Sequence, residues 1–175
     1  MVVLIIGIPG AGKTTLIDRA VNTSEWTVLD PDRFRRRLSQ ALRRVPIPYP
    51  FYVLALVVAI ARHTHVVAES RGTYGWLRRL VTACAHVRGR EAVLVLLDAQ
   101  AGAAMAGQVS RGRVTPAPLM RWNTSRWGRL LDAARNGTLA AEGWSQVIVL
   151  DRAQASEVED LGELIRRPPA PASTA

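Results

Sequence analysis

The stretch LIIGIPGAGKTTLI, Leu4–Ile17, decides how the rest of the chain is read. Its first residues continue an apolar, β-branched run that begins at Val2 and ends in Gly7, the pattern of a strand buried on both faces. Gly7-Ile8-Pro9-Gly10-Ala11-Gly12-Lys13-Thr14 then satisfies G-x-x-x-x-G-K-[ST] in full. Leu16, Ile17, Ala20 and Val21 follow at helical spacing. Strand, glycine loop and helix in that order form a cradle for phosphate. The glycines let backbone N–H groups curl around an anion, and the helix turns its positive end toward the same point.

Within the cradle, Pro9, Gly10, Ala11, Gly12, Lys13, Thr14 and Thr15 are the expected nucleotide contacts. Lys13 reaches the β- and γ-phosphates, and the Thr14 hydroxyl is placed to ligate Mg²⁺, so ATP and Mg²⁺ are the expected cofactors. Lys13 is the only lysine of the chain, beside 22 arginines. Arginine serves wherever a cation faces solvent. A compact ammonium fits between close phosphates where a planar fork would collide. A dinucleotide fingerprint is excluded, because Thr15 stands where its third small residue belongs.

The remaining chain alternates in the same way. Trp26–Asp30, His65–Ser70, Ala92–Ala99 and Gln146–Asp151 read as four further strands, with helical patterns between them. The expectation is an α/β three-layer sandwich around a five-stranded parallel sheet. FYVLALVVAIA, Phe51–Ala61, is about half the length a bilayer requires and reads as a buried helix after the breaker PIPYP. Ser156 and Glu159 suggest a capping box for a last helix through Ile165. One domain over residues 1–166, with a lid around 108–128 and a disordered Pro/Ala tail at 167–175, is the expected organisation.

The formal charge of +9 invites a nucleic-acid partner, but an arginine-rich, alanine-rich, lysine-poor chain also looks like the product of a GC-rich genome. The single cysteine, Cys84, forms no internal disulfide and reads as a small core residue in a reducing, cytoplasmic setting. His63 and His65 lack partners for a metal site. Trp76, Trp122, Trp127 and Trp144 read as core or lid packing. Neither a signal peptide nor a membrane segment is expected, and monomer and homodimer both remain open.

Carboxylates and arginines complete the candidate site. Asp32 follows the second strand, where a carboxylate could accept the proton of an attacking hydroxyl or simply cap a helix. Asp30 suits that role less, since Pro31 separates it from the helix. Glu69 ends the third strand, where it would orient a magnesium-bound water; a plain pairing with Arg71 competes. Arg111 and Arg113, in an arginine-rich stretch, could close over the γ-phosphate, whereas Arg121, Arg126 and Arg129 read mainly as surface.

GIPGAGKTT, DPDRFR, VVAES and RGRVTP together resemble small P-loop kinases of the polynucleotide kinase and zeta-toxin type, many of which are described only as AAA-type ATPases. The resemblance covers roughly residues 2–160. It implies that Asp32 is the general base, that Arg35 contacts the acceptor and that Arg111 acts from an arginine-bearing lid. The absence of N-K-x-D argues against a signalling GTPase, and the length against a ring-forming AAA machine. The reaction expected is transfer of the γ-phosphate of Mg-ATP to a hydroxyl of a small molecule. A nucleic-acid 5′-hydroxyl and a slow or non-catalytic nucleotide-binding module are the alternatives.

Overall fold

The computed structural model describes residues 1–31, 33–34, 48–98 and 117–169. Five strands form one parallel sheet: β1 (Val2–Gly7), β2 (Thr27–Leu29), β3 (Val66–Ser70), β4 (Ala92–Asp98) and β5 (Gln146–Asp151). Their spatial order is β2-β3-β1-β4-β5, so the chain crosses over on both sides of β1. The sheet matches the expectation, and its strands begin and end within about one residue of the sequence pattern. β1 sits at the centre with every residue buried, which is why it reads as unbroken VVLIIG rather than as an alternation.

Side-chain alternation along β1 sorts the helices onto two faces. Val3 and Ile5 pack with Leu16 and Ile17 of α1 (Lys13–Ala20) and with Leu161 and Leu164 near the chain's end. Val2, Leu4 and Ile6 face the other layer. There they meet α2 (Pro48–Arg62) through Leu56 and Ile60, α3 (Gly75–Val87) through Leu77 and Val81, and α4 (Ala117–Arg135) through Trp127 and Leu130. A 3-10 turn at Thr138–Glu142 and the buried Trp144 close that layer.

Two expectations are corrected. The apolar helix starts at Pro48, not after the prolines, because proline at a helix N-terminus loses a hydrogen bond that would be unmade in any case. It is also buried on one side only. Tyr52, Leu56, Ala59 and Ile60 face the sheet, while Phe51, Leu54 and Val58 are 48%, 60% and 39% exposed. A crossover helix in a three-layer fold has one sheet to cover, so an apolar sequence does not by itself enclose its outer face.

The chain's last helical segment is also split. α5 (Arg152–Glu157) opens directly from β5 with a capping box between Asp151 and Gln154, and α6 (Leu161–Arg166) is capped by the Asp160 carboxylate. Ser156 instead donates to the Ala153 carbonyl inside α5, and extended Val158 separates the two helices. Cys84 is half-buried against the core, and burial raises its thiol pKa. Trp127 and Trp144 are core residues as expected, but Trp76 is 52% exposed and stands in a cluster with Tyr49 and Tyr74. The Trp122 side chain and the lid span before residue 117 lie outside the described residues.

Candidate active site

The phosphate loop joins β1 to α1 at the carboxyl edge of the sheet. Gly7 is held tight against β4: a Cβ there would stand 3.1 Å from Ala11 Cβ and 3.3 Å from the Leu97 carbonyl oxygen. Gly12 takes φ +91°, a left-handed conformation that side chains resist, and turns the backbone directly into α1. Gly12 offers no side chain to cap that helix, and no acidic residue sits in its first turn. Its leading N–H groups and its positive dipole end therefore remain directed at the loop.

Lys13 is the first helical residue and is only 6% exposed. Its ammonium donates to the carbonyls of Gly7 at 3.0 Å and Ile8 at 3.2 Å, and lies 3.6 Å from Glu69 Oε1. Three oxygens thus gather around one buried nitrogen, a point-like arrangement that suits a compact ammonium. Thr14 Oγ1 donates to Glu69 Oε2 at 3.0 Å. Glu69 reaches the loop because β3 lies beside β1, with Glu69 in register with Ile5. Its carboxylate thus faces Lys13 and Thr14. A hydroxyl and a carboxylate side by side are hard oxygen donors of the kind Mg²⁺ takes, and the uncapped helix start suits phosphate, so the residues present fit Mg-ATP.

The adjoining edge is formed by the end of β2 and by α2. Asp30 is buried at the end of β2 and heads a helical turn: its carbonyl accepts from Phe34 N–H at 2.8 Å, and its Oδ1 lies 3.4 Å from Arg33 N–H. Pro31 is the first residue of that turn and not a separator, which corrects the reading of Asp30 as cut off from the helix. Arg33 pairs with Asp18 and lies 3.7 Å from Asp30 Oδ2. Tyr52, hidden in the apolar run of α2, places its hydroxyl 2.7 Å from the Glu69 carbonyl and 3.3 Å from that of Leu29. Burial above all, and then the nearby Glu69 charge, holds its phenol well above the ordinary pKa of 10, so it remains a donor.

Lys13, Thr14 and Glu69 are therefore brought together with Gly10 and Gly12, while Thr15 faces outward on α1. Asp32, Arg35, Arg111 and Arg113 lie outside the described residues. Arg126 and Arg129 are exposed on α4, as expected. A buried pair carries no sign in the sequence. Arg78 of α3 grips Glu142 through Nε–Oε2 at 2.8 Å and Nη2–Oε1 at 2.6 Å, 64 positions apart.

A family model described as an AAA domain matches residues 2–136. The chain belongs to that family. Among solved structures it is similar to a protein of the PezAT chromosomal toxin–antitoxin system of Streptococcus pneumoniae, with TM-score 0.66 and 15% identity over 95% of this chain and 75% of that one. A gluconokinase from Sinorhizobium meliloti gives TM-score 0.62 and 16% identity over 94% and 91% of the two chains. A shikimate kinase from Bacteroides thetaiotaomicron gives 0.51 and 16% over 95% and 99%. None of the curated proteins matches the chain in sequence. The fold is that of the P-loop kinases, with a phosphate loop suited to a nucleotide. No helix among the described residues is long and apolar enough to cross a membrane.

Proposed function

We propose that the protein is an ATP-dependent phosphotransferase acting on a hydroxyl of a small molecule. The observation that carries this reading is the convergence of Lys13, Thr14 and Glu69 on an uncapped helix start. Pro9 to Thr15 and Arg113 would hold the nucleotide, and Thr14 and Glu69 would hold Mg²⁺, whose charge offsets that of the phosphates during transfer. Lys13 aligns the terminal phosphoryl group. Asp32 accepts the proton of the acceptor hydroxyl, Arg35 orients the acceptor, and Arg111 closes from a lid over 108–128 to neutralise developing charge. The gluconokinase and shikimate kinase that share the fold are named for small hydroxylated acceptors, which favours that class. Arg33, from the arginine face that would suit a polynucleotide, is engaged by Asp18 and Asp30.

The test is transfer from labelled ATP to sugars, nucleosides, aminoglycosides and 5′-hydroxyl oligonucleotides, with Asp32→Asn in parallel. Label on a small molecule, lost by orders of magnitude in Asp32→Asn with ATP binding retained, is the expected result. Label on the oligonucleotide alone would make the protein a polynucleotide kinase. ATP binding with no transfer to any acceptor would make it a regulatory module.

A further inference from the structure

A second concave surface lies away from the phosphate loop. It is an open cavity of about 400 Å³ bounded by α3, α4 and the 3-10 turn. Buried Leu130 and Leu139 contribute to its lining, beside Arg78, Arg79, Arg126, Arg129 and Glu142. Among the described residues, four guanidinium groups thus share the cavity with one carboxylate. Arg78 already satisfies that carboxylate with a two-point fork and sends its remaining arm to the Gly72 carbonyl. Among the described residues, no carboxylate stands within ion-pair distance of Arg79 or Arg129. Arg79 exerts only a longer-range pull on Glu142.

We propose that this cavity is a second anion-binding site, taking a phosphate or carboxylate group. Arginines on a convex surface disperse their charge into solvent. Gathered around a recess with an apolar wall, they focus it on whatever enters. Guanidinium groups also match phosphate and carboxylate oxygens in pairs. Buried Arg78, fixed by Glu142, supplies the rigid wall, while exposed Arg79 and Arg129 supply donors that can turn inward.

The site is distinct from the nucleotide cradle, because no phosphate-loop residue is among those that line it. It is nevertheless close to the chemistry. Gly72, which lines the cavity, follows Glu69 by three residues and packs on Ile6 at the foot of the phosphate loop. The anion is either part of the acceptor itself or a separate small anion that tunes transfer.

The test is an amide and indole chemical-shift titration of the full chain with inorganic phosphate, then succinate, with and without saturating Mg-ADP. Trp144 is a built-in reporter, since its indole N–H lies 3.4 Å from Glu142 Oε2. Saturable shifts at Gly72–Arg79, Thr138–Glu142 and the Trp144 indole are expected in both series. In the Arg79→Gln/Arg129→Gln double variant, affinity should fall about tenfold or more with the melting temperature unchanged. Shifts confined to Gly10–Thr14, no saturable shift, or an unaltered affinity in the double variant would each overturn the proposal. Because binding is read without turnover, failure here leaves the phosphotransferase reading standing, and failure to transfer leaves this site standing.

Two further outcomes assign the source of the anion. If the double variant raises KM for anionic acceptors alone, the group belongs to the acceptor. If added phosphate changes transfer to a neutral acceptor without competing, the anion is separate.

Discussion

The Tyr52 hydroxyl donates to the Glu69 carbonyl at 2.7 Å, tying α2 to the strand end that presents the Glu69 carboxylate to the phosphate loop. Tyr52→Phe removes the donor and leaves the Glu69 carbonyl with one partner fewer, at a cost of about 1–2 kcal/mol in denaturant unfolding. Because Glu69 is positioned through this bond, the apparent Mg²⁺ requirement of transfer should rise while ATP affinity changes little. An unchanged Mg²⁺ titration would limit Tyr52 to stability.

Glu69→Gln keeps the shape of the side chain and removes its charge. The Thr14 contact can persist, but the opposite charge beside Lys13 and a hard oxygen donor are lost. Phosphotransfer should drop at least about a hundredfold in kcat, with a much smaller change in nucleotide Kd measured without metal. A parallel loss of both would indicate that Glu69 only supports the loop.

Gly72 has φ +73°, and a Cβ there would stand 2.7 Å from two carbons of Ile6. Ile6 is a fully buried strand residue and cannot yield easily. Gly72→Ala is expected to destabilise by roughly 1–3 kcal/mol, read as a lower denaturant midpoint with an unchanged slope.

Burial would push the Glu142 carboxyl above its ordinary 4.5, but the Arg78 hydrogen bonds and charge, helped by Trp144 and Arg79, hold it lower. A depressed folded pKa means that the unfolded chain takes up the proton first as pH falls. The stabilisation is therefore complete above about pH 4.5 and fades as pH drops through the folded value. Glu142→Gln should cost about 3 kcal/mol near neutrality, since it leaves Arg78 buried without its counter-charge. It should also flatten the acid limb of the stability curve. An acid limb identical to that of the parent protein would remove Glu142 from the account.

What could be read in the sequence was local. The phosphate loop is legible because strand, glycines, lysine and helix are contiguous, and Glu69 because a carboxylate closes an apolar run. The partnership of Arg78 with Glu142 is not, because an arginine on an amphipathic helix and a glutamate in a turn carry no mark of each other across 64 positions. Tyr52 is masked by its apolar neighbours for the same reason. The outer face of α2 misleads because a continuous apolar run has no period from which a covered side could be told from an open one. Ser156-x-x-Glu159 has the form of a capping box, whereas β5 passes straight into α5 through Asp151-x-x-Gln154.

The strand order β2-β3-β1-β4-β5 has a consequence for synthesis. β1 lies between β3 and β4, both of which leave the ribosome later. VVLIIG must therefore wait, with both hydrogen-bonding edges unpaired, until Val66–Ser70 and then Ala92–Asp98 have been made. A bare apolar strand is a template for other chains. During that interval the nascent protein exposes the very segment that later becomes its most enclosed, and the exposure lasts longer the more slowly β3 and β4 are made.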